Sequence, residues 1–168
     1  MSDEDELDIV KRTIDLMRTT FGTTFKEYYD GDPEQIPLFN LPALIVDQTN
    51  DTTTEAAYGQ DDVDDSITVK VVMDKRDDFN GDQVDPLNMT ARKIRELIGK
   101  RDPVTRKYET KTVKGALRTH LLDGITALAP VVTVEYGIVP RGGDSNYATL
   151  TSEGHVKISM TYTVNTDN

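Results

Sequence analysis

A chain of 168 residues, 36% of them hydrophobic, is long enough to bury one core, and it holds no apolar run near the ~18 residues that cross a bilayer, which excludes a transmembrane helix. The absence of cysteine excludes a disulfide framework, a thiolate metal site and a cysteine nucleophile. A net charge of −11 repels phosphate and disfavours ordinary nucleic-acid binding.

The chain starts Met1-Ser2-Asp3-Glu4-Asp5-Glu6, the opposite of a basic, apolar signal peptide, so the expectation is a protein made and used, or assembled into something larger, inside a cell. Leu7, Val10, Ile14, Met17 and Phe21 step by three and four residues and predict a helix with one apolar face. Ser2 or Asp3 would cap it, and Gly22 would end it. The stripe is too short for a coiled coil, so packing on a sheet is expected. Residues 25–42 read as a short extended piece, the turn Asp30-Gly31-Asp32-Pro33 and an ordered loop. The apolar run 41–46 is a first, buried strand.

Residues 48–65 are polar, acidic and threonine-rich and read as a loop or an exposed hairpin tip. Ile67, Val69, Val71 and Met73 alternate with Thr68, Lys70 and Val72, a second strand. Asn80-Gly81 marks a turn within 74–85. A second helix is predicted over about 86–98, with Asp85 as N-cap, Pro86 at N1 and Ile94, Leu97 and Ile98 inward. A basic connection, 100–111, leads to a third helix over about 112–122, with Val113, Ala116, Leu117, His120 and Leu121 on one side. Val132, Val134, Tyr136 and Ile138 form a third strand. A long connection through Arg141-Gly142-Gly143-Asp144 leads to the clearest strand, in which Val156, Ile158, Met160, Tyr162 and Val164 face one way and His155, Lys157, Ser159, Thr161 and Thr163 the other. The expectation is one α+β domain, ordered α-β-β-α-α-β-β. A four-stranded, mainly antiparallel sheet carries helices on one face, with flexible loops at about 48–65, 74–85, 100–111 and 141–154.

Little here carries chemistry. There is no phosphate-binding glycine loop and no nucleophile elbow. His120 and His155 lack metal spacing. Asp77, Asp78, Asn80, Gly81 and Asp82 superficially imitate a calcium loop, but Arg76 and Leu87 stand at the first and last ligand positions. Asp61, Asp62, Asp64 and Asp65 read as a solvated acidic loop, with at most a weak surface cation site. No cofactor, metal or catalytic residue is assigned, and an enzyme acting through carboxylates stays only as a rival reading.

Charge is the more informative feature. Residues 74–120 hold twelve basic and eight acidic residues, a local charge of +4, while the remainder holds seven and twenty-two, or −15. Arg92, Lys93, Arg95, Lys100, Arg101, Arg106, Lys107, Lys111, Lys114 and Arg118 stand among only three acids, Glu96, Asp102 and Glu109. They form either a solvated helix face or a surface that meets an acidic neighbour, such as the next subunit of a homo-oligomer. DNA binding ranks third. The aspartate- and threonine-rich, cysteine-free composition resembles that of proteins from salt-loving organisms, where molar salt screens such a charge, with an ordinary acidic mesophilic protein as the alternative.

The N-terminal amphipathic helix is followed by FKEYYDGDPEQIP, the strand LPALIV, a strand ending in a charged loop, helices, and a closing hairpin that ends in HVKISMTYTV. In element order and size nearly the whole chain resembles the tail terminator, or tail completion, proteins of long-tailed phages and archaeal tailed viruses, although no single residue is diagnostic. The family is usually shorter, so 48–65 and 100–111 would be elaborations. The resemblance implies a virion structural protein, assembled in the host cytoplasm, that forms a hexameric ring at the tail–neck junction. Its partners would be itself, the tail tube protein and a neck or head-completion protein, with DNA passing through the lumen without specific binding and no membrane involved. The basic segment would then be a subunit or partner interface, and His155, Lys157, Ser159, Thr161 and Thr163 a lumen or contact face. A neck, stopper or head–tail adaptor protein of the same virus class and a non-viral acidic binding module are the alternatives.

Overall fold

In the computed structural model, which describes residues 8–79, 85–123, 130–142 and 149–166, the apolar stripe at the N-terminus forms helix α1, Ile9–Phe21. Asp8 caps it, accepting hydrogen bonds from the N–H groups of Val10 (3.0 Å) and Lys11 (3.1 Å). Gly22, at a φ of 54° that disfavours a side chain, ends it. Ile9, Val10, Ile14, Met17 and Phe21 are all buried.

The other elements are β1 (Glu27–Asp30), β2 (Ala43–Ala57), β3 (Gln60–Asp74), α2 (Thr90–Gly99), α3 (Val113–His120), β4 (Val131–Arg141) and β5 (Thr149–Asn165). The five strands lie in the order β1-β2-β3-β5-β4. Only β1 and β2 are parallel; the other pairs are antiparallel. The protein is therefore α+β, with a mostly antiparallel sheet. Among the described residues no helix is long and apolar enough to cross a membrane.

Strand register decides which residues reach the helices. Leu44, Val46, Ile67, Val69, Val71, Val156 and Ile158 share one face and form the main core with α1, α2 and α3. Each such side chain, fully buried, contributes roughly 1.5–3 kcal/mol. Helix α2 lies directly on Gly154 of β5, where a Cβ would stand 2.3 Å from Ile98 Cδ1 and 2.6 Å from Ile94 Cγ2. On the opposite face Ala43, Ile45 and Val72 are covered by Ile36 and Leu41, a second and smaller core. The loop after β1 thus roofs one corner of the sheet.

Several expectations are corrected. The sheet has five strands rather than four, because the extended piece near residue 28 joins as β1. Of the two readings of residues 48–65, the exposed hairpin holds and the loop does not: they are the far halves of β2 and β3, joined by a tight turn at Tyr58 and Gly59. The acidic stretch 61–65 is accordingly strand, and Asp65 in it is buried. β5 starts at Thr149, which takes 149–154 out of the expected connection. Helix α2 starts at Thr90, not near Pro86, and its cap is not Asp85. Asp85 accepts the N–H of Leu87 in a turn, while Asp78 accepts both the N–H (2.8 Å) and the hydroxyl (2.8 Å) of Thr90. The caps assigned to Ser2 and Asp3, Leu7 of the apolar stripe, the Asn80-Gly81 turn, Asp82 and Gly143-Asp144 lie outside the described residues.

Beyond the helices β2, β3 and β5 continue as a three-stranded arm. From Asp47 to Ala57 no residue of β2 is buried. At ~3.3 Å per residue this stretch is about 35 Å long, and its first half still runs beside Val63, Met160 and Tyr162 of the main core. Threonine and cross-strand pairs sustain it: Thr161 donates to Asp64, Thr163 to Asp62 (3.1 Å), and Ser66 and Ser159 share a hydrogen bond (3.1 Å). At its base the buried Asp65 accepts from the Tyr162 hydroxyl and from Gln48 Nε2 (3.1 Å). Burial, reinforced by the hydrogen bond to Asp65, pushes the Tyr162 phenol well above its ordinary range.

Candidate functional site

The basic residues expected to form one surface fall on α2, α3 and the connector between them. Arg92, Lys93, Arg95, Lys100, Arg101, Arg106, Lys107, Lys111 and Arg118 are exposed, and Lys114 is half-buried. The connector folds back on itself. Asp102 N–H donates to the Lys107 carbonyl (2.9 Å) and Glu109 N–H to the Lys100 carbonyl (2.9 Å). Asp102 accepts the N–H groups of Thr105 and Val104, which hold its carboxyl below the usual range.

This folding sorts the cations into groups. Lys93, Lys100 and Lys111 line one shallow cleft of about 360 Å³ with Glu96 and Glu109. The Arg101 guanidinium and the Lys114 ammonium lie 5.6 Å and 5.7 Å from the Tyr108 ring centroid. Arg92 pairs with Glu96 (3.0 Å), and Lys100 approaches Glu109 (3.7 Å). These exposed pairs add little stability, so the surface keeps most of its positive charge for a partner. Arg95 turns away from the cleft to a groove beside β4. No described contact joins Arg106, Lys107 or Arg118 to either group.

On β5 the residues expected to face away from the core do so. The register pairs His155 with Lys70, Lys157 with Thr68, Ser159 with Ser66, Thr161 with Asp64 and Thr163 with Asp62, all opposite the helices. Lys157 and Ser159 are exposed; His155, Thr161 and Thr163 are half-buried. The face is less neutral than the β5 residues alone imply, because β3 adds Asp62 and Asp64 to it.

The strongest electrostatic feature was not assigned from sequence. On this same face Arg141 donates to Glu153 through Nε (2.6 Å) and Nη2 (2.8 Å), and through Nη1 to Asp32 (2.7 Å). Lys70 Nζ also reaches Asp32 (2.7 Å), His155 Nε2 meets Glu153 (2.8 Å), and the Thr151 hydroxyl donates to Glu153. Burial alone would raise the Glu153 carboxyl, but hydrogen bonds from His155, Arg141 and Thr151 outweigh it and bring the pKa to about 2. Burial would likewise raise Asp32, yet Arg141 and Lys70 hold it far below the ordinary carboxylate range. Arg141 is pushed the other way: its two carboxylate partners overcome burial and raise it. The cluster ties the loop after β1 to β3, β4 and β5, and every charge in it is matched. The only sequence signal was a charged residue, Lys70, inside an otherwise apolar strand; the partners lie at sequence separations no local pattern reports.

Among the described residues no group of three or more His, Asp or Glu is placed to hold a metal ion. His120 is exposed and shares a hydrogen bond with Asp123 (3.0 Å). Asp78, from the calcium-like stretch, is buried against Thr90 at the start of α2 and pairs with Lys75 (2.6 Å). No protein-family model matches the chain, and none of the curated proteins matches it.

Proposed function

We propose that this chain is a ring-forming structural subunit of a tailed virus particle, seated at the top of the tail, where it ends tail-tube growth and joins tail to neck. The observation that carries the reading is the state of edge strand β4. Among the described residues one side of this strand of 11 residues has no partner, and Val131, Tyr136 and Ile138 on it are exposed. Soluble monomers blunt such edges with charge, bulges or cover, whereas a subunit that associates with copies of itself uses them. The basic α2–α3 surface and the acidic remainder add complementary charge for a head-to-tail contact. The hydroxyl-bearing, acid-flanked face of β3 and β5 suits a lumen through which DNA slides without sticking.

The test is light scattering on the purified protein at low and at molar salt. A six-membered closed ring of the 18.8 kDa chain has a mass of about 110 kDa. A strict monomer under both conditions overturns the reading.

A further inference from the structure

The turn at the end of the arm carries Tyr58, which is 96% exposed. Its neighbours Glu55, Asp61 and Asp62 are acidic, and Gly59, at a φ of 78°, already supplies the turn. An aromatic ring held fully in water at the tip of a polar arm does nothing for the fold of its own chain. Aromatic side chains of this kind act as anchors when a partner offers an apolar pocket.

The same chain holds such a pocket. Helix α2 packs over β5 and stops short of covering β4, leaving Tyr136 and Ile138 half exposed at 52% and 58%. Between them lies a groove of about 440 Å³, lined by Ala91, Ile94, Tyr136, Ile138, Ser152 and the buried Glu153 and flanked by Arg95 and by Lys75, which is paired with Asp78. Its floor is mostly apolar and Arg95 puts a positive charge on its rim, while the arm tip has an apolar centre and a negative rim.

The two features belong to different copies. Gln60, beside the tip, pairs with Asn165 of β5, whereas Tyr136 pairs with Gly154. That separation along one strand is about 36 Å at ~3.3 Å per residue, and the paired strands between them keep the arm from folding back. We infer that the Tyr58 tip of one copy seats in the α2–β4 groove of a second copy, with its acidic flanks against Arg95. Each copy offers one tip and one groove, so head-to-tail repetition of the contact closes a ring or extends a filament, whereas a reciprocal exchange stops at a dimer. This rests on the self-assembly reading above and names the contact that would build the assembly.

The test uses the full chain and sedimentation velocity. Tyr58→Ser removes the anchor, and Ala91→Trp fills the groove from an exposed position without changing charge. Each variant is expected to self-associate at least tenfold more weakly than the wild type, with an unchanged thermal midpoint. Mixed together, the two should form a dimer and stop, because one intact tip and one intact groove remain per pair. The chain has no native cysteine, so Ala57→Cys combined with Ile138→Cys should give a ladder of covalent multimers on oxidation. A wild type that associates while both single variants associate equally well overturns this inference and leaves the ring reading standing. A wild type that stays monomeric overturns both.

Discussion

Arg141 closes a two-pronged ion pair on Glu153, Nε to Oε2 at 2.6 Å and Nη2 to Oε1 at 2.8 Å, with both side chains buried. The pair cannot be weakened from one side cheaply, because whichever charge remains is left out of water. Arg141→Met should therefore destabilise the fold by about 3–5 kcal/mol in equilibrium urea unfolding. Arg141→Met combined with Glu153→Leu should recover much of that loss. Equal losses in the single and double variants would sink the explanation.

The same cluster sets a pH dependence. A carboxylate with a depressed folded pKa contributes stability above its unfolded value and gives it up as pH falls through the folded one. For Glu153 the loss should run from the ordinary value of 4.5 down to about 2. Asp32 adds a loss of the same sign, reaching to lower pH. Unfolding free energy measured between neutral pH and this window should fall with acid, and Glu153→Gln should flatten the curve. A variant curve parallel to the wild type would count against the assignment.

Helix α2 borrows its cap from Asp78, twelve residues before Thr90. Asp78→Ala leaves the Thr90 N–H without its acceptor and Lys75 without its partner, at a cost of about 1–3 kcal/mol. Asp78→Asn keeps an acceptor and should cost less. Chemical denaturation of the two variants checks the order; if the asparagine variant is the weaker, the cap is not the dominant interaction.

Gly154 is where α2 and the sheet come closest. Any side chain there meets Ile94 and Ile98, so Gly154→Val should overpack the core by about 1–3 kcal/mol. A thermal midpoint equal to that of the wild type would show that α2 moves off the sheet at no cost.

Reversing Arg92, Arg95 and Arg101 to glutamate should weaken self-association at least tenfold at about 0.15 M salt, with a smaller difference at molar salt, where charges are screened within ~3 Å. Analytical ultracentrifugation reads the effect. Unchanged association would reduce the basic segment to a solvated face.

The helices and the covered strands were legible in the sequence because each buries one face, and burial writes a period of 3.6 or 2 into the choice of apolar residues. This is why the stripe of α1, the alternation of β5 and the α+β class followed from residue spacing alone. The polar side of β5 from His155 to Thr163 followed for the same reason. The arm was legible only as one of two readings, an exposed hairpin tip beside a loop, because most of residues 47–66 have both faces in water and little alternation to display. The start of α2 was misplaced because its cap comes from Asp78, outside the local signal at Asp85 and Pro86. The joining of Asp32, Lys70, Arg141, Glu153 and His155 belongs to strand order and register, which bring the loop after β1 and the strands β3, β4 and β5 together on one face. Local sequence settled which segments bury a side, and only the tertiary structure decided which distant charges meet and which apolar groups, Tyr58, Tyr136 and Ile138 among them, are left facing water.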